Sequence, residues 1–214
     1  MNQTDIFGAD EGDNWFRRNR QALNTSGRTD RVLQMARRWN ERARVRSVCE
    51  LGCANGWRLA ALSEALPDLE RAAGCDLSEA AIDDGRNRWP QLELTVGSLD
   101  NPAITGPFNL VIVSFVLHWV ARDRLAASIS GVDSLVSDGG ALIVADFLPD
   151  QTSARRYHHR DDVEIWTYKQ DYPLCFTGGD TYVEVEREVF AHSGESAAPI
   201  DPQDRAVCAL LRKT

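Results

Sequence analysis

Between residues 46 and 147 short apolar runs alternate with longer amphipathic stretches, and this rhythm constrains the fold more than any other feature of the chain. Residues 46–52 read as a short buried strand ending at a glycine, and 56–66 as an apolar-striped helix stopped by Pro67. Further strands are expected at 71–75, 92–96, 108–115 and 141–147. Helices are expected at 78–89, closed by Pro90, and at 122–135, ahead of the pair Gly139-Gly140. Strands that alternate with helices of this length pack as a doubly wound α/β sheet, mostly parallel, because each right-handed crossover returns the next strand alongside.

The flanks differ from this centre. The first forty-odd residues read as helix, with Trp15, Phe16, Asn19 and Leu23 at near-helical spacing. Val32, Met35, Ala36 and Trp39 repeat the stripe after a break at Asn24-Thr25-Ser26-Gly27. After Pro149 a polar and aromatic stretch runs to about residue 180, and two strand-like runs, 182–190 and 206–211, follow with no helix between them. Such a pair forms an antiparallel hairpin at the sheet edge. A length of 214 residues suits one domain, divided into a helical cap (1–43), a core (44–149), a lid (150–180) and a closing hairpin (181–214).

Charge and cysteines narrow the setting. With 24 Lys and Arg against 32 Asp and Glu, the net charge of −8 has the wrong sign for a body that must neutralise phosphates, so nucleic acid is not an expected partner. No apolar run approaches the ~20 residues that span a bilayer, and the acidic start of the chain lacks a signal-peptide core. No membrane partner is expected, and the expected location is cytoplasmic. The cysteines are five, an odd number, and three lie in apolar strand-like runs, which points to reduced, mostly buried thiols. Cys49 and Cys53 have no second pair behind them, so no zinc site is expected.

Ligands of open α/β sheets sit at the carboxyl ends of the strands, which directs attention to Glu50-Leu51-Gly52-Cys53-Ala54-Asn55-Gly56. A dinucleotide fingerprint starting at Gly52 requires two more glycines where this chain has Ala54 and Trp57, and no Gly-Lys-Ser/Thr follows for a phosphate loop. A phosphate-bearing cofactor is therefore disfavoured. The turn still offers backbone access and helix-start amides for a carboxylate, and Asp76 ends the second strand where an acid can accept both ribose hydroxyls. A ribose, an adenine and an amino-acid carboxylate without phosphates describe S-adenosylmethionine.

On these residues the chain resembles a class I S-adenosylmethionine-dependent methyltransferase of the small-molecule type, from about residue 45 to 147 and again in the closing strand pair. Glu50, Gly52 and Gly56 match the family's E-x-G-x-x-x-G motif, Asp76 its second-strand acid, and Phe108-Asn109-Leu110-Val111-Ile112-Val113-Ser114 its fourth strand. The resemblance implies a Rossmann-like seven-stranded sheet whose last strand is inserted antiparallel beside the fifth. It implies S-adenosylmethionine as cofactor and S-adenosylhomocysteine as product. By the same resemblance Glu50 supports the methionine amino group or the turn itself, Gly52, Asn55 and Gly56 give backbone access, and Asp76 holds the ribose. Leu77 flanks the adenine, Ser98 or Asp100 meets its amino group, the Leu99 amide meets a ring nitrogen, Ser114 faces the crevice, and Trp15 lies on a helix folded over the pocket. The family's usual Gly-Asp pair after the third strand reads Gly97-Ser98 here, and its frequent Asp in the fourth strand reads Asn109.

Methyl transfer from a sulfonium is an in-line displacement that gains much from alignment and exclusion of water, and a base is required only where the acceptor must lose a proton. His118, beside Trp119 just past the fourth strand, is a candidate base or substrate contact, with helix capping or packing as the alternative. His158 and His159 are adjacent and on a helix point about 100° apart, so at most one, His158, is a catalytic candidate. Metal binding by His158, His159, Asp161 and Asp162 lacks a ligand spacing, and no metal is expected. Tyr157, Trp166 and Tyr168 suit a lid over a flat or sugar-like acceptor, with core packing the equal alternative. The Pro-Pro-Tyr/Phe signature of base-modifying enzymes is missing after the fourth strand. The expected activity is O- or N-methylation of a small metabolite such as a sugar or natural product. Two alternatives stand beside it: carboxyl methylation of a small or carrier-bound acid held by Arg155, Arg156 and Arg160, and a non-catalytic S-adenosylmethionine-binding protein.

Overall fold

A computed structural model describes residues 3–23, 30–160, 162–194 and 199–214. The chain opens in helix: α1 (Gln3–Ile6) continues through a π-helical turn (Phe7–Glu11) into α2 (Gly12–Leu23), and α3 (Arg31–Arg42) follows. The expected break at Asn24–Gly27 lies outside the described residues. Asp30 begins α3 by accepting the Leu33 N–H at 2.8 Å, which satisfies one of the free amides of the first turn. The same helix buries Val32, Leu33, Met35, Ala36 and Trp39, the stripe its spacing indicates.

The alternating centre is β1 (Ser47–Leu51), α4 (Trp57–Ala65), β2 (Arg71–Asp76), α5 (Glu79–Arg88), β3 (Glu93–Val96), β4 (Phe108–Ser114), α6 (Leu125–Leu135) and β5 (Val136–Phe147). Beyond it lie β6 (Ser153–Arg156), β7 (Trp166–Lys169), α7 (Leu174–Thr177), β8 (Tyr182–Ala191) and β9 (Arg205–Lys213). Seven strands form one sheet in the order β3-β2-β1-β4-β5-β9-β8, and β6 and β7 pair separately. Pairing is parallel from β3 through β5, whereas β9 runs antiparallel between β5 and β8. This is the Rossmann-like methyltransferase topology.

Both faces of the sheet are covered, so its central strands bury apolar side chains on both sides. On β4, Leu110 and Ile112 pack with Leu59, Leu62 and Ile82, while Val111 and Val113 pack with Val132, Leu135 and Tyr172. Each fully buried aliphatic side chain of this kind contributes about 1.5–3 kcal/mol. Because β9 alone runs backwards in the closing pair, the carboxyl end of β8 returns to the same rim as those of β1 to β5. That rim is where the site is built.

Several elements differ from their sequence reading. β5 begins at Val136, so Gly139-Gly140 lies inside the strand, where Gly139 takes a φ of +69° at a register shift against β4. The lid is a two-stranded ribbon and a short helix, and His158 and His159 sit on a turn with ring centroids 3.9 Å apart rather than diverging on a helix. All five cysteines are free, and among the described residues no helix is long and apolar enough to cross a membrane.

Gly131 on α6 links the fold to the site. A Cβ there would stand 2.1 Å from the Leu99 carbonyl oxygen, in the loop after β3. Helix propensity alone favours alanine over glycine by about 0.8–1 kcal/mol, and this contact reverses the sign. Gly131→Ala is expected to destabilise the protein by about 1–3 kcal/mol in urea unfolding, the usual cost of overpacking. A gain in stability would contradict the close approach of helix and loop.

Candidate functional site

The turn after β1 folds back so tightly that the Gly52 and Cys53 amides both donate to the Cys75 carbonyl, at 2.8 and 3.0 Å. Gly52 has a φ of +73°, and a Cβ there would stand 2.8 Å from Val116 Cγ2, so the position requires glycine twice over. Gly56 has a φ of +77° at the N-cap of α4 and is backed by Leu94. Asp76, at the end of β2, accepts the Ala54 N–H at 2.8 Å on one oxygen and the Ser78 N–H at 2.9 Å on the other. Burial raises its pKa, and the amides of Ser78, Ala54 and Leu77 oppose that rise. The carboxylate keeps acceptor capacity beyond these amides.

These residues line a cavity of about 340 Å³ at the rim of the sheet. Leu77, Gly97, Ser98, Leu99, Asp100 and Ser128 form one end. There the Ser98 hydroxyl donates to Asp100 at 2.6 Å and Arg124 pairs with the same carboxylate. Burial opposes ionisation of Asp100, but the hydroxyl and the guanidinium outweigh it and hold its carboxyl below the ordinary range. Ser114, Phe115, Val116 and Trp119 form the wall after β4, and Thr4, Phe7, Gly12, Trp15 and Leu23 close the roof. Trp57, Arg58, Asp30 and His192 complete it.

The roof is fastened at several points. Gln3 donates to the Trp119 and Trp166 carbonyls at 2.5 and 2.8 Å and accepts the Trp166 N–H at 2.9 Å. Asp13 on α2 accepts from the Ser78 hydroxyl at 2.7 Å and the Ala80 N–H at 3.1 Å, which ties the cap to the start of α5. Arg20 pairs with Asp84, which also accepts from Asn55 at 2.8 Å.

Of the residues singled out in the sequence, Trp15, Gly52, Asp76, Leu77, Ser98, Leu99, Asp100, Ser114 and Trp119 lie together on the cavity wall. The others do not. Glu50 is fully buried and pairs with Arg58 instead of facing the cavity, so it acts through that guanidinium. Asn55 is buried with its amide on Asp84, and Gly56 lies behind the turn. His118 is 4% exposed, with Nδ1 2.9 Å from Asp146 and its ring packed against Trp119 and Phe147, which makes it a packing histidine in this arrangement. His158 is exposed on the lid turn, off the wall. The buried Tyr157 hydroxyl donates to Glu11 at 2.8 Å and accepts from Arg18 at 2.7 Å, a cap-to-lid clasp. Trp166 is held by Gln3, and Tyr168 lies under Arg122 with the guanidinium carbon 4.5 Å from the ring centroid. Among the described residues no group of three or more His, Cys, Asp and Glu is placed to hold a metal ion; Asp161 lies outside them.

Sequence reasoning did not select Phe7, Asp30, Arg58, Phe115 or His192. Arg58 carried the one available signal, as the second residue of a helix that starts at a ligand-binding turn. It donates to Asp30 at 3.1 and 3.2 Å, pairs with Glu50, and lies 4.6 Å from the centroid of the Trp57 ring.

Residues 49–142 match the family model described as a methyltransferase domain. The fold is that of solved methyltransferases. Magnesium protoporphyrin IX methyltransferase (ChlM) from Synechocystis PCC 6803, with bound S-adenosylmethionine, shares 16% identity over 100% of this chain and 98% of that one, at a TM-score of 0.66. CalS10, an amino pentose methyltransferase from Micromonospora echinaspora, also with S-adenosylmethionine bound, shares 12% over 91% and 96%, at 0.62. The N-methyltransferase NodS from Bradyrhizobium japonicum WM9, in complex with S-adenosylhomocysteine, shares 17% over 90% and 97%, at 0.58. No curated protein matches the sequence. Residues 49–142 thus carry a methyltransferase domain, and the whole chain has the fold of class I S-adenosylmethionine-dependent methyltransferases. Two of these solved structures hold S-adenosylmethionine, the methyl donor, and the third holds S-adenosylhomocysteine.

The residues present fit that donor. Asp76 has acceptor capacity left on the cavity wall, Gly52 leaves the backbone bare, and Ala54 and Trp57 line the cavity where a dinucleotide fingerprint would have glycines. The wall carries Asp30, Asp76 and Asp100 against Arg58, an acidic balance suited to a sulfonium cation.

Burial lifts the Glu50 carboxyl to about 7, against the pull of Arg58. A carboxyl raised in the folded state favours folding fully below its unfolded value, and that contribution is lost as pH rises from about 4.5 through about 7. Urea titrations across this window are expected to show that Glu50→Gln removes part of the decline in stability seen in the wild type. Parallel curves for the two proteins would contradict it.

Proposed function

We propose that the protein methylates an amine or hydroxyl group of a small metabolite. The observation that carries this reading is the composition of the wall beyond the donor end. It presents the rings of Phe7, Trp15, Trp57, Phe115 and Trp119, and the only lysine or arginine among its described residues is Arg58, already engaged by two carboxylates. An acceptor that stacks on aromatic faces and bears no negative charge suits such a wall. The names of CalS10 and NodS, an amino pentose methyltransferase and an N-methyltransferase, point the same way.

The carboxylate-acceptor reading loses its support. Arg155 and Arg156 are exposed on β6, Arg160 pairs with Asp10 and Asp162, and none of the three lines the cavity.

S-adenosylmethionine supplies an electrophilic methyl group. The chain's residues bind, orient and dry the site around it. Asp76 accepts the ribose hydroxyls, while Ser98, the Leu99 amide and Asp100 meet the adenine between Leu77 and the loop. Arg58 and Asp30 face the charged methionine end, where the guanidinium suits a carboxylate and Asp30 an ammonium. Trp15 and Phe7 shut out water, which strengthens every charge interaction inside and aligns acceptor and methyl for attack.

Asp76→Ala is expected to weaken S-adenosylmethionine binding about 10- to 150-fold in calorimetry, the equivalent of about 1.5–3 kcal/mol for hydrogen bonds to a charged group. Unchanged affinity would remove Asp76 from the site. The acceptor class is tested by incubating the enzyme with methyl-labelled S-adenosylmethionine and a low-molecular-weight metabolite extract, then treating the products with mild alkali. Label that survives is expected, because amine and ether methyl groups resist base. Label released as methanol marks methyl esters and would overturn the proposal.

A further inference from the structure

The carboxyl end of β8 brings one more titratable ring to the cavity. β8 is three strands beyond β4, about 14 Å at the usual spacing, yet His192 just past its end reaches back to pack against Phe115, with ring centroids 4.7 Å apart and the rings tilted by 49°. Phe115 follows β4 with a φ of +53°, in the left-handed region. Phe147, at the end of β5, supports both rings, 5.4 Å from Phe115 and 5.1 Å from His192. The backbone is fixed as well: the His192 N–H donates to the Asp204 carbonyl at 2.7 Å, and the Asp204 carboxylate accepts the Ser193 N–H at 2.9 Å and its hydroxyl at 2.6 Å. The imidazole is thus an anchored group on the cavity wall, from the end of β8 at one edge of the sheet, while Asp76 and Leu77 come from the end of β2 near the other.

We infer that His192 is the base of the reaction: it faces the transferring methyl group and takes the proton of the acceptor's amine or hydroxyl. This rests on the methyltransferase reading above. The acceptor lone pair forms the new bond to the methyl carbon as the carbon–sulfur bond breaks, its electron pair stays on sulfur, and the proton of the attacking heteroatom passes to an imidazole nitrogen. His118, the histidine next to Trp119, is turned away with Nδ1 committed to Asp146, so it does not compete for this role.

The surroundings favour the neutral ring a base requires. The residue as a whole is exposed at the mouth, but its ring loses water against the two phenyl groups, which lowers its pKa; His118 and Lys169 lower it further, against Asp204 and Asp146. Lys169 reaches the group from β7, with Nζ 3.8 Å from the centroid of the Phe147 ring.

Ring-proton NMR titration of the wild type, with the His192 signal identified by its loss in His192→Asn, tests the position without any acceptor. A sulfonium beside the ring lowers its pKa, so saturation with S-adenosylmethionine is expected to give a value at least ~0.5 unit below that with S-adenosylhomocysteine. Identical titrations with the two ligands overturn the inference. In the extract assay His192→Asn is expected to lower label transfer ~100-fold or more, the range for loss of a general base, while calorimetry gives unchanged donor affinity. A variant that transfers label nearly as well as the wild type overturns the inference while the methyltransferase reading stands. A wild type that binds no donor would instead remove that reading, and this one with it.

Discussion

The Asp76 carboxylate holds the site together. Its two oxygens take one N–H from the turn after β1 and one from the start of α5, so a single side chain fixes the spacing between two βα units. The turn it holds is the one in which Gly52 and Gly56 adopt positive φ, and the helix it reaches is the one to which Asp13 bolts the cap. Because the carboxylate retains acceptor capacity, the group that organises the protein is also the one that, in the proposed function, meets the ribose.

Charge is arranged around this centre with a consistent sign. Arg58 is almost buried between Glu50 and Asp30, a cluster whose net charge is negative when all three are ionised. Removing such charges from water is costly, and the lifted pKa of Glu50 is the trace of that cost. What the cluster provides is a fixed guanidinium next to a fixed carboxylate on the wall of an otherwise acidic pocket, the two charges that the proposed function sets against an amino acid's own. The opposite requirement, a dry and aromatic acceptor side, is met by the cap and by the residues after β4.

Much of the fold was legible because it depends on local periodicity. The strands, the helices and the closing hairpin follow from apolar spacing and from Gly and Pro, with boundaries displaced by a few residues where Gly139 lets β5 begin early. Residues just past strand ends, Gly52, Asp76 and Ser98 to Asp100, could be located for the same reason. Orientation was not legible. His118 and Trp119 are neighbours in a 3₁₀ turn (Leu117–Trp119), where successive side chains diverge by about 120°, so Trp119 meets the cavity and His118 meets Asp146. Partners remote in sequence were equally hidden. Tyr157 is consumed by Glu11 and Arg18, Glu50 by Arg58, and His192 reaches the site only because β9 reverses the sheet.

The central claim is that the cleft after β1 receives an adenosyl sulfonium and excludes a diphosphate. Isothermal titration of the full chain with S-adenosylmethionine, S-adenosylhomocysteine and oxidised nicotinamide dinucleotide, under one set of conditions, tests it most directly. Saturable one-to-one binding of the first two, with no heat from the third, is the predicted result. Preference for the dinucleotide, or no binding of either adenosyl compound, would contradict it.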